Sequence, residues 1–411
     1  MTSSDRRSFL KGAAGAAAAF AFQPDLSASP RALNAPLRVG LIGAGRQGRA
    51  ILGELGKFED ITIAAVCDSD ARRLSSAKRR APGAVFYAEH KAMLESEDQL
   101  DAVLIATPTH QHRSLCEDSL DAGKHVYCEA PLAHTLEDAK AIARAARAAS
   151  GKFQTGMAGR ANPVYSLARS FVRMGAIRDT LSMRSQFKKK TSWRTPTSDS
   201  ARDKFLNWRL DPDVSLGLVG EVGTHHFDVL HWFTGQYPTS VRGTGELLAW
   251  KDGRKVADTV HCEFQFPGGV RSQWEASLGT SFEGEYSLLA GTMGTVKLAG
   301  THAWMFKEAD ATTFEWEVYA TRQQFHQDEG IILIAGATEL AAQGKLKEGI
   351  GLPHPPLYYA LENFFVAVGE DGEPCCSAEE GLRAAAVAIR AAEAIRTGAE
   401  VAIPETDFSL E

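Results

Sequence analysis

The run Arg38-Val39-Gly40-Leu41-Ile42-Gly43-Ala44-Gly45-Arg46-Gln47-Gly48 constrains this chain more than any other stretch. It reads as a buried strand passing through G-x-G-x-x-G into a helix, and that junction commits the surrounding polypeptide to a βαβ unit. Each glycine has a steric reason. Gly43 permits the tight turn after the strand, Gly45 lets the backbone approach a pyrophosphate, and Gly48 lets the helix pack close to the strand. The helix N-terminus, with its free N–H groups and dipole, then holds the anion, with Arg46 and Gln47 beside it. Asp68 ends the next apolar run, twenty residues beyond Gly48. A carboxylate there accepts hydrogen bonds from ribose hydroxyls and repels a 2′-phosphate, which favours NAD. Arg72 and Arg73 lie close enough to leave NADP open.

The pattern around this unit is repetitive. Apolar runs at 38–42, 61–67, 102–106 and 125–128 read as strands, and helical periodicity fills 47–55, 72–80, 112–122 and 136–149. Alternating βα units predict a doubly wound parallel sheet, a Rossmann domain over 37–152. From about Phe153 the period shortens to two, at 184–187, 240–248, 256–266, 270–277, 285–290 and 295–298, with glycine turns such as Pro267-Gly268-Gly269. The expectation for 153–411 is a second α/β domain carrying a large, mostly antiparallel open sheet. Ser377-Ala378-Glu379-Glu380 is a capping box opening a C-terminal helix that packs back.

Residues 1–36 read as a leader and linker. Asp5-Arg6-Arg7-Ser8-Phe9-Leu10-Lys11 has the form of a twin-arginine signal, followed by an apolar run from Gly12 to Phe22. The expectation is export of the folded protein through the twin-arginine machinery to the periplasm. No later stretch is apolar enough to span a bilayer. A net charge of −6 with no basic stripe argues against nucleic acid. The six cysteines form no C-x-x-C pair and no zinc spacing, so they read as buried thiols, with Cys375-Cys376 in a surface loop.

Further motifs make the chain resemble the glucose–fructose oxidoreductase / inositol dehydrogenase (Gfo/Idh/MocA) family. They are Ala106-Thr107-Pro108-Thr109-His110-Gln111-His112, Gly123-Lys124-His125-Val126-Tyr127-Cys128-Glu129-Ala130-Pro131-Leu132, Asn207-Trp208-Arg209-Leu210-Asp211-Pro212, Glu221-Val222-Gly223-Thr224-His225-His226-Phe227-Asp228 and Glu380-Gly381-Leu382. The resemblance covers essentially all of the chain after the leader. It implies that Thr107, Pro108, His112, Glu129 and Ala130 lie along the nicotinamide half of the cofactor. It also implies a sugar, cyclitol or related substrate on the second sheet, and a homodimer or homotetramer.

Two positions depart from the family pattern. Its Glu-Lys-Pro reads Glu129-Ala130-Pro131, so the usual catalytic lysine is missing, and its Asp-x-x-x-His reads Glu221-x-x-x-His225. In the resulting scheme His225 takes the hydroxyl proton as hydride leaves the carbon, because an imidazole titrates near working pH. Glu221, one helical turn before it, orients and charge-stabilises it. Arg209, Arg160 and Tyr165 are the candidates to replace the lysine. Lys188-Lys189-Lys190 reads as a solvated loop, with Trp193 and Arg194 available to rim a sugar cleft. His225, His226, Asp228 and His231 do not form H-E-x-x-H, and no metal is expected. Three functions remain open: a sugar oxidoreductase with tightly held NAD(P), a redox-neutral NAD-dependent glycosidase or lyase, and a non-catalytic binder. Ala130 raises the second, because NAD-dependent N-acetylgalactosaminidases that resemble this family also lack that lysine.

Overall fold

A computed structural model describes residue 33 and residues 35–410, apart from 315, 316 and 319. The leader and its arginine pair lie outside the described residues. Strand β1 (Leu37–Ile42) is buried at every position but Arg38, as a strand covered on both faces must be. It sits in a six-stranded sheet with β2 (Ile61–Cys67), β3 (Val85–Tyr87), β4 (Ala102–Ile105), β5 (His125–Cys128) and β6 (Phe153–Thr155). The order is β3-β2-β1-β4-β5-β6, and every pairing is parallel. Helices α1 (Arg46–Leu55), α2 (Ala71–Ala77), α3 (His90–Ser96), α4 (His112–Asp121) and α5 (Leu136–Ala148) make the crossovers. Local chemistry starts two of them: Asp70 accepts from the Arg72 N–H, and Thr135 from the Asp138 N–H. Chain order reverses between β1 and β4. A crevice therefore opens at their carboxyl ends, where such sheets bind ligands.

The second layer begins with α6 (Pro163–Arg173), capped by Asn162. Its ten-stranded sheet comprises β7 (Thr180–Lys188), β8 (Ser240–Glu246), β9 (Thr259–Gln265), β10 (Arg271–Ser277), β11 (Glu285–Gly291), β12 (Gly294–Ala299), β13 (His302–Lys307), β14 (Arg322–Phe325), β15 (Asp328–Ile332) and β16 (Val401–Ala402). The order is β14-β15-β13-β12-β11-β7-β10-β9-β8-β16. Only β7 beside β10 is parallel. One face alternates into the core, where Val260, Phe264, Trp274, Leu289, Val296 and Met305 pack on α6 and on α8 (Thr224–Thr234). Between β7 and α8 the chain crosses to the first layer through the short helix α7 (Ser200–Leu206).

Two C-terminal helices lock the layers together. Helix α9 (Pro356–Gly369) sinks Tyr358, Leu361, Phe364 and Phe365 into the core of the parallel sheet. Helix α10 (Ala378–Thr397) opens with the Ser377–Glu380 capping box. Its Leu382 and Ala385 pack on the first layer, and its Val387, Ala391 and Ala394 on the second. An alanine-rich face lets one rod approach both layers closely, which fixes the crevice between them.

The fold is the α/β arrangement expected, with additions at the sheet edges. β3 and β6, three residues each, and β13 to β15 carry too little pattern to read. β6 extends the parallel sheet to Thr155, past residue 152. The Cys375-Cys376 pair is not a surface loop: Cys376 is buried with Met157 and Ala384, against Ala130. No described helix is long and apolar enough to cross a membrane.

Candidate active site

Gly43 adopts φ +98°, and a Cβ there would lie 2.6 Å from the Ala106 carbonyl oxygen. At Gly48 a Cβ would come within 1.8 Å of the Gly43 carbonyl oxygen. Both positions admit only glycine. Gly45 differs, since a Cβ there would meet only the Arg73 guanidinium, at an ordinary contact distance of 3.7 Å. Gly45 also caps α1 without any side-chain bond to the first turn. The N–H groups of that turn are thus available to an anion.

A cavity of about 320 Å³ opens in front of them. The first layer contributes Arg46, Gln47, Arg49, Arg72, Arg73, Thr107 and Pro108, and the crossing segment contributes Trp193, Thr195, Arg202, Leu206, Trp208 and Arg209. Trp193 therefore faces the cofactor end of the crevice. Arg194 is tied up with Asp252 and Asp203, and Lys188 with Glu275. Asp68 directly follows β2 and is buried. Its oxygens accept from the Ala44 N–H at 2.7 Å and the Asp70 N–H at 2.8 Å, with Arg73 at 3.8 Å. The carboxylate holds the glycine turn in shape while keeping negative charge at the ribose end.

Gln47, Ala106, Thr107 and Arg209 also line a second cavity of about 190 Å³. Its other walls include Thr109, His112, Tyr127, Glu129, Ala130, Glu221 and His225. The Thr107 and Tyr127 hydroxyls, both buried, have no hydrogen-bond partner among the described residues. Unsatisfied buried hydroxyls, an open helix N-terminus and two positions restricted to glycine together fit a dinucleotide laid from Asp68 to Glu129.

Within the second cavity, Gln47 donates to Glu129 at 2.9 Å. Burial pushes the Glu129 carboxyl up to about 7, against the opposing pull of Gln47, the Ala130 N–H and Arg209. Burial also lowers His225 below its ordinary value, with Glu285 pulling the other way and His226 adding to the drop. Burial thus favours the neutral ring of His225, the form that can accept a proton. His112 lines the cavity as well, but its ring nitrogens face the Thr107 carbonyl on one side and the Pro131 and Leu132 carbonyls on the other. It joins two loops.

Two expected arrangements are corrected by the geometry. Glu221 lies on a π-turn, Val219–Gly223, where the wider spiral breaks the i, i+4 stacking of an α-helix. Its oxygens accept from Arg209 at 2.5 Å and Thr109 at 3.2 Å. Glu221 thus serves Arg209. Arg160 is buried away from the cavity, bonded to Asp228 at 2.8–3.0 Å and to Glu380. Tyr165 likewise accepts from the Gly300 N–H at 2.9 Å. Of the three candidates to replace the lysine, only Arg209 reaches the site. Asp228 and His226 are engaged elsewhere, and no group of three metal-binding side chains occurs among the described residues. Thr109, Tyr127 and Glu285 were not found by sequence reasoning. Thr109 and Tyr127 lie inside the quoted motifs but carry no signature of their own that singles them out, and Glu285 lies in a strand with no local sign of its contact with His226.

Residues 37–157 match the profile of the oxidoreductase family with an NAD-binding Rossmann fold, and residues 165–297 that of the GFO/IDH/MocA C-terminal domain. The chain is 31% identical to an inositol 2-dehydrogenase of Pseudarthrobacter chlorophenolicus over 248 residues, 60% of this chain and 68% of that one. It is 33% identical to a glycosyl hydrolase family 109 protein of Shewanella amazonensis over 162 residues, 34% of this chain and 36% of that protein. It is 27% identical to a levoglucosan dehydrogenase of Pseudarthrobacter phenanthrenivorans over 210 residues, 49% and 52% of the two chains. The matches to these last two thus span about a third and a half of the relatives' own lengths. In three dimensions the chain superposes on a levoglucosan dehydrogenase in complex with NADH with a TM-score of 0.72 at 21% identity, over 90% of this chain and 99% of that one. The chain belongs to the Gfo/Idh/MocA family of NAD-binding oxidoreductases.

Proposed function

We propose that this protein moves hydride between a hydroxyl-bearing carbon of a sugar or cyclitol and an NAD that it does not exchange freely, after export through the twin-arginine pathway. The observation that carries the reading is the joining of the two cavities through Gln47, Thr107 and Arg209. It sets His225, whose neutral ring burial favours, where the nicotinamide end would lie. Bound there, NAD would supply the hydride acceptor.

The side chains supply the rest. His225 takes the hydroxyl proton while the carbon gives up hydride. Arg209, fixed by Glu221, cannot transfer a proton, but its permanent charge stabilises the developing alkoxide. Glu129, held by Gln47, has a proton available near neutrality. Asp68 supports NAD as the cofactor, and the nearby arginines leave NADP a weaker alternative. Export is supported by the order of Arg6-Arg7, Phe9-Leu10-Lys11 and the apolar run. The resembled family supports a homodimer or homotetramer.

A second reading has a specific observation behind it. Ala130 lines the reaction cavity where related dehydrogenases keep a lysine, and glycosyl hydrolase family 109 proteins are among the relatives. Under it the hydride is borrowed: transient oxidation acidifies a neighbouring C–H, the glycosidic substituent is eliminated, water adds, and hydride returns.

One experiment separates these. The cofactor-loaded protein is incubated with free hexoses, myo-inositol, levoglucosan and aryl glycosides, and nicotinamide absorbance and aglycone release are followed together. A keto product matched by reduced cofactor supports the oxidoreductase. Aglycone release without net reduction supports the glycosidase or lyase. Mass spectrometry that finds no nicotinamide dinucleotide in the protein purified from its native envelope would overturn both. Replacing Arg6 and Arg7 with lysine should retain the protein in the cytoplasm; unchanged export would refute that part.

A further inference from the structure

Five non-glycine residues among the described ones hold a positive φ: Arg178, Trp193, Glu283, His326 and Asp371. Four of them are exposed and polar or charged. Trp193 is the exception. Its φ is +59°, it is partly buried, and it lines the cavity in front of α1. A bulky side chain in the left-handed region opposes its own backbone preference. Such a conformation persists only where the surroundings over-determine it.

The surroundings do so here. Before the tryptophan, the Thr191 N–H donates to the Leu278 carbonyl at 3.1 Å. Across it, the Ser192 hydroxyl accepts from the Arg194 N–H at 3.1 Å. After it, Arg194 Nε donates to Asp252 at 3.0 Å. The Asn207 side chain then holds both sides of Thr195, accepting from its N–H at 2.6 Å and donating to its carbonyl at 3.0 Å. Leu278 and Asp252 belong to the second layer, and Trp193 packs against that layer's core. Asn207 leads into Trp208 and Arg209 of the cavity wall.

The lining of the cavity shows what the pinned segment serves. It is rich in arginine, with Arg46, Arg49, Arg72, Arg73, Arg202 and Arg209. Guanidinium groups suit phosphates, whereas the flat rings of a dinucleotide need aromatic or apolar surface. Trp208 is already engaged, with the Arg209 guanidinium 4.6 Å from its ring centre and the His110 ring edge-on. Trp193 has no ring or cation partner among the described residues. The walls of the reaction cavity, where Glu129 and His225 lie, do not include it.

We infer that Trp193 is a cofactor-binding residue, whose indole offers the nicotinamide dinucleotide an aromatic surface from the second layer and whose pinned, strained backbone keeps it there. The inference rests on the reading of a retained NAD. A contact from the second layer has to break before the dinucleotide leaves the first, so its effect falls mainly on release.

The test is the release of bound NADH from the full protein, followed by stopped-flow fluorescence against excess NAD, with urea unfolding of the cofactor-free protein alongside. Trp193→Gly removes the indole and suits the backbone. It should speed release by about tenfold. Its urea midpoint should stand above that of Trp193→Ala, which keeps the strain without the ring. Trp193→Phe keeps a smaller ring and should release NADH a few-fold faster than wild type, while losing the share of indole-to-nicotinamide energy transfer that Trp193 supplies. It serves as the second variant if Trp193→Gly does not fold.

Release at the wild-type rate from Trp193→Gly, or from Trp193→Phe where the first does not fold, would overturn the inference. Such a result with a raised KM for a sugar would make the indole a substrate platform instead, and with only a lowered urea midpoint it would reduce Trp193 to packing. If the wild type gives up NADH readily and Trp193→Gly faster still, the retention reading fails and the contact stands. If the wild type and the variants hold NADH equally long, only the present inference fails.

Discussion

At the scale of single residues, the glycines of the turn separate folding from binding. At Gly48 the Cβ of an alanine would lie 1.8 Å from a backbone oxygen, which no rotamer can relieve. Gly48→Ala should therefore destabilise the fold by about 1–3 kcal/mol or more, read as a lower urea midpoint even without cofactor. At Gly45 an added methyl would make only ordinary contact with Arg73. Gly45→Ala should leave that midpoint unchanged while weakening NAD binding measured by calorimetry, because the added methyl occupies the pyrophosphate's approach. Arg209 poses a different question. Arg209→Met removes the charge that the geometry offers in place of the missing lysine and leaves Glu221 with Thr109 alone. Loss of one such stabilising group costs about 10²–10³ in kcat. Single-turnover hydride transfer should fall by that order with NAD content unchanged; an unchanged rate would leave the lysine without a replacement.

At the scale of elements, buried charge shows where sequence reading stopped. The Arg160 guanidinium joins Asp228 of α8 and Glu380 of α10, 68 and 220 residues away. No periodicity reports such partners, so the sequence alone offers Arg160 as a candidate to replace the lysine. Asp228→Asn leaves the buried guanidinium with Glu380 as its remaining carboxylate and should cost less than the ~3–5 kcal/mol of an uncompensated buried charge, measured by urea unfolding, while the cofactor site stays intact. The Glu221 reading failed for a related reason: i, i+4 spacing implies stacking only on an α-helix. Gly220 and Gly223 instead sit where a side chain would strike Leu216 or Phe227, and Thr224 bonds back to the Gly220 carbonyl at 2.7 Å. What was legible was whatever a short window encodes, such as the continuous apolar strands of the first layer, the G-x-G-x-x-G turn and the capping box of α10. The first turn of α4 offers a further test. His112, 1% exposed, has its pKa lowered by burial to about 4 from 6.5. Between those values the unfolded chain binds the extra proton, so stability is full above about 6.5 and is lost as pH falls toward 4. The loss amounts to roughly 3 kcal/mol from this ring. His112→Gln should flatten the acid limb of thermal stability by that much.

At the scale of the whole molecule, two layers locked by α9 and α10 leave the cofactor crevice little freedom to widen, and the segment crossing between them covers the outer side of the cavity. Arg202 on α7 reaches Asp70 at the start of α2, with Nη2 to Oδ2 at 2.6 Å. The Arg73 guanidinium lies 4.6 Å from the centre of the Phe205 ring. These contacts tie the crossing segment down over the adenosine end. A partly exposed ion pair contributes at most about 1 kcal/mol, and a cation over a ring about as much. Either contact alone should therefore slow NAD release only a few-fold. Arg202→Ala with Phe205→Ala should speed it by about tenfold or more, read by stopped-flow fluorescence as bound NADH is displaced by excess NAD. Added salt should shorten the wild-type residence time by a larger factor than that of the double variant, because the Arg202–Asp70 pair is screened in addition to the pyrophosphate's own contacts. A protein that carries its nicotinamide out of the cytoplasm has no pool from which to replace it. Retention through contacts from the second layer is what that reading requires, so a double variant that releases cofactor no faster than wild type would remove its physical basis.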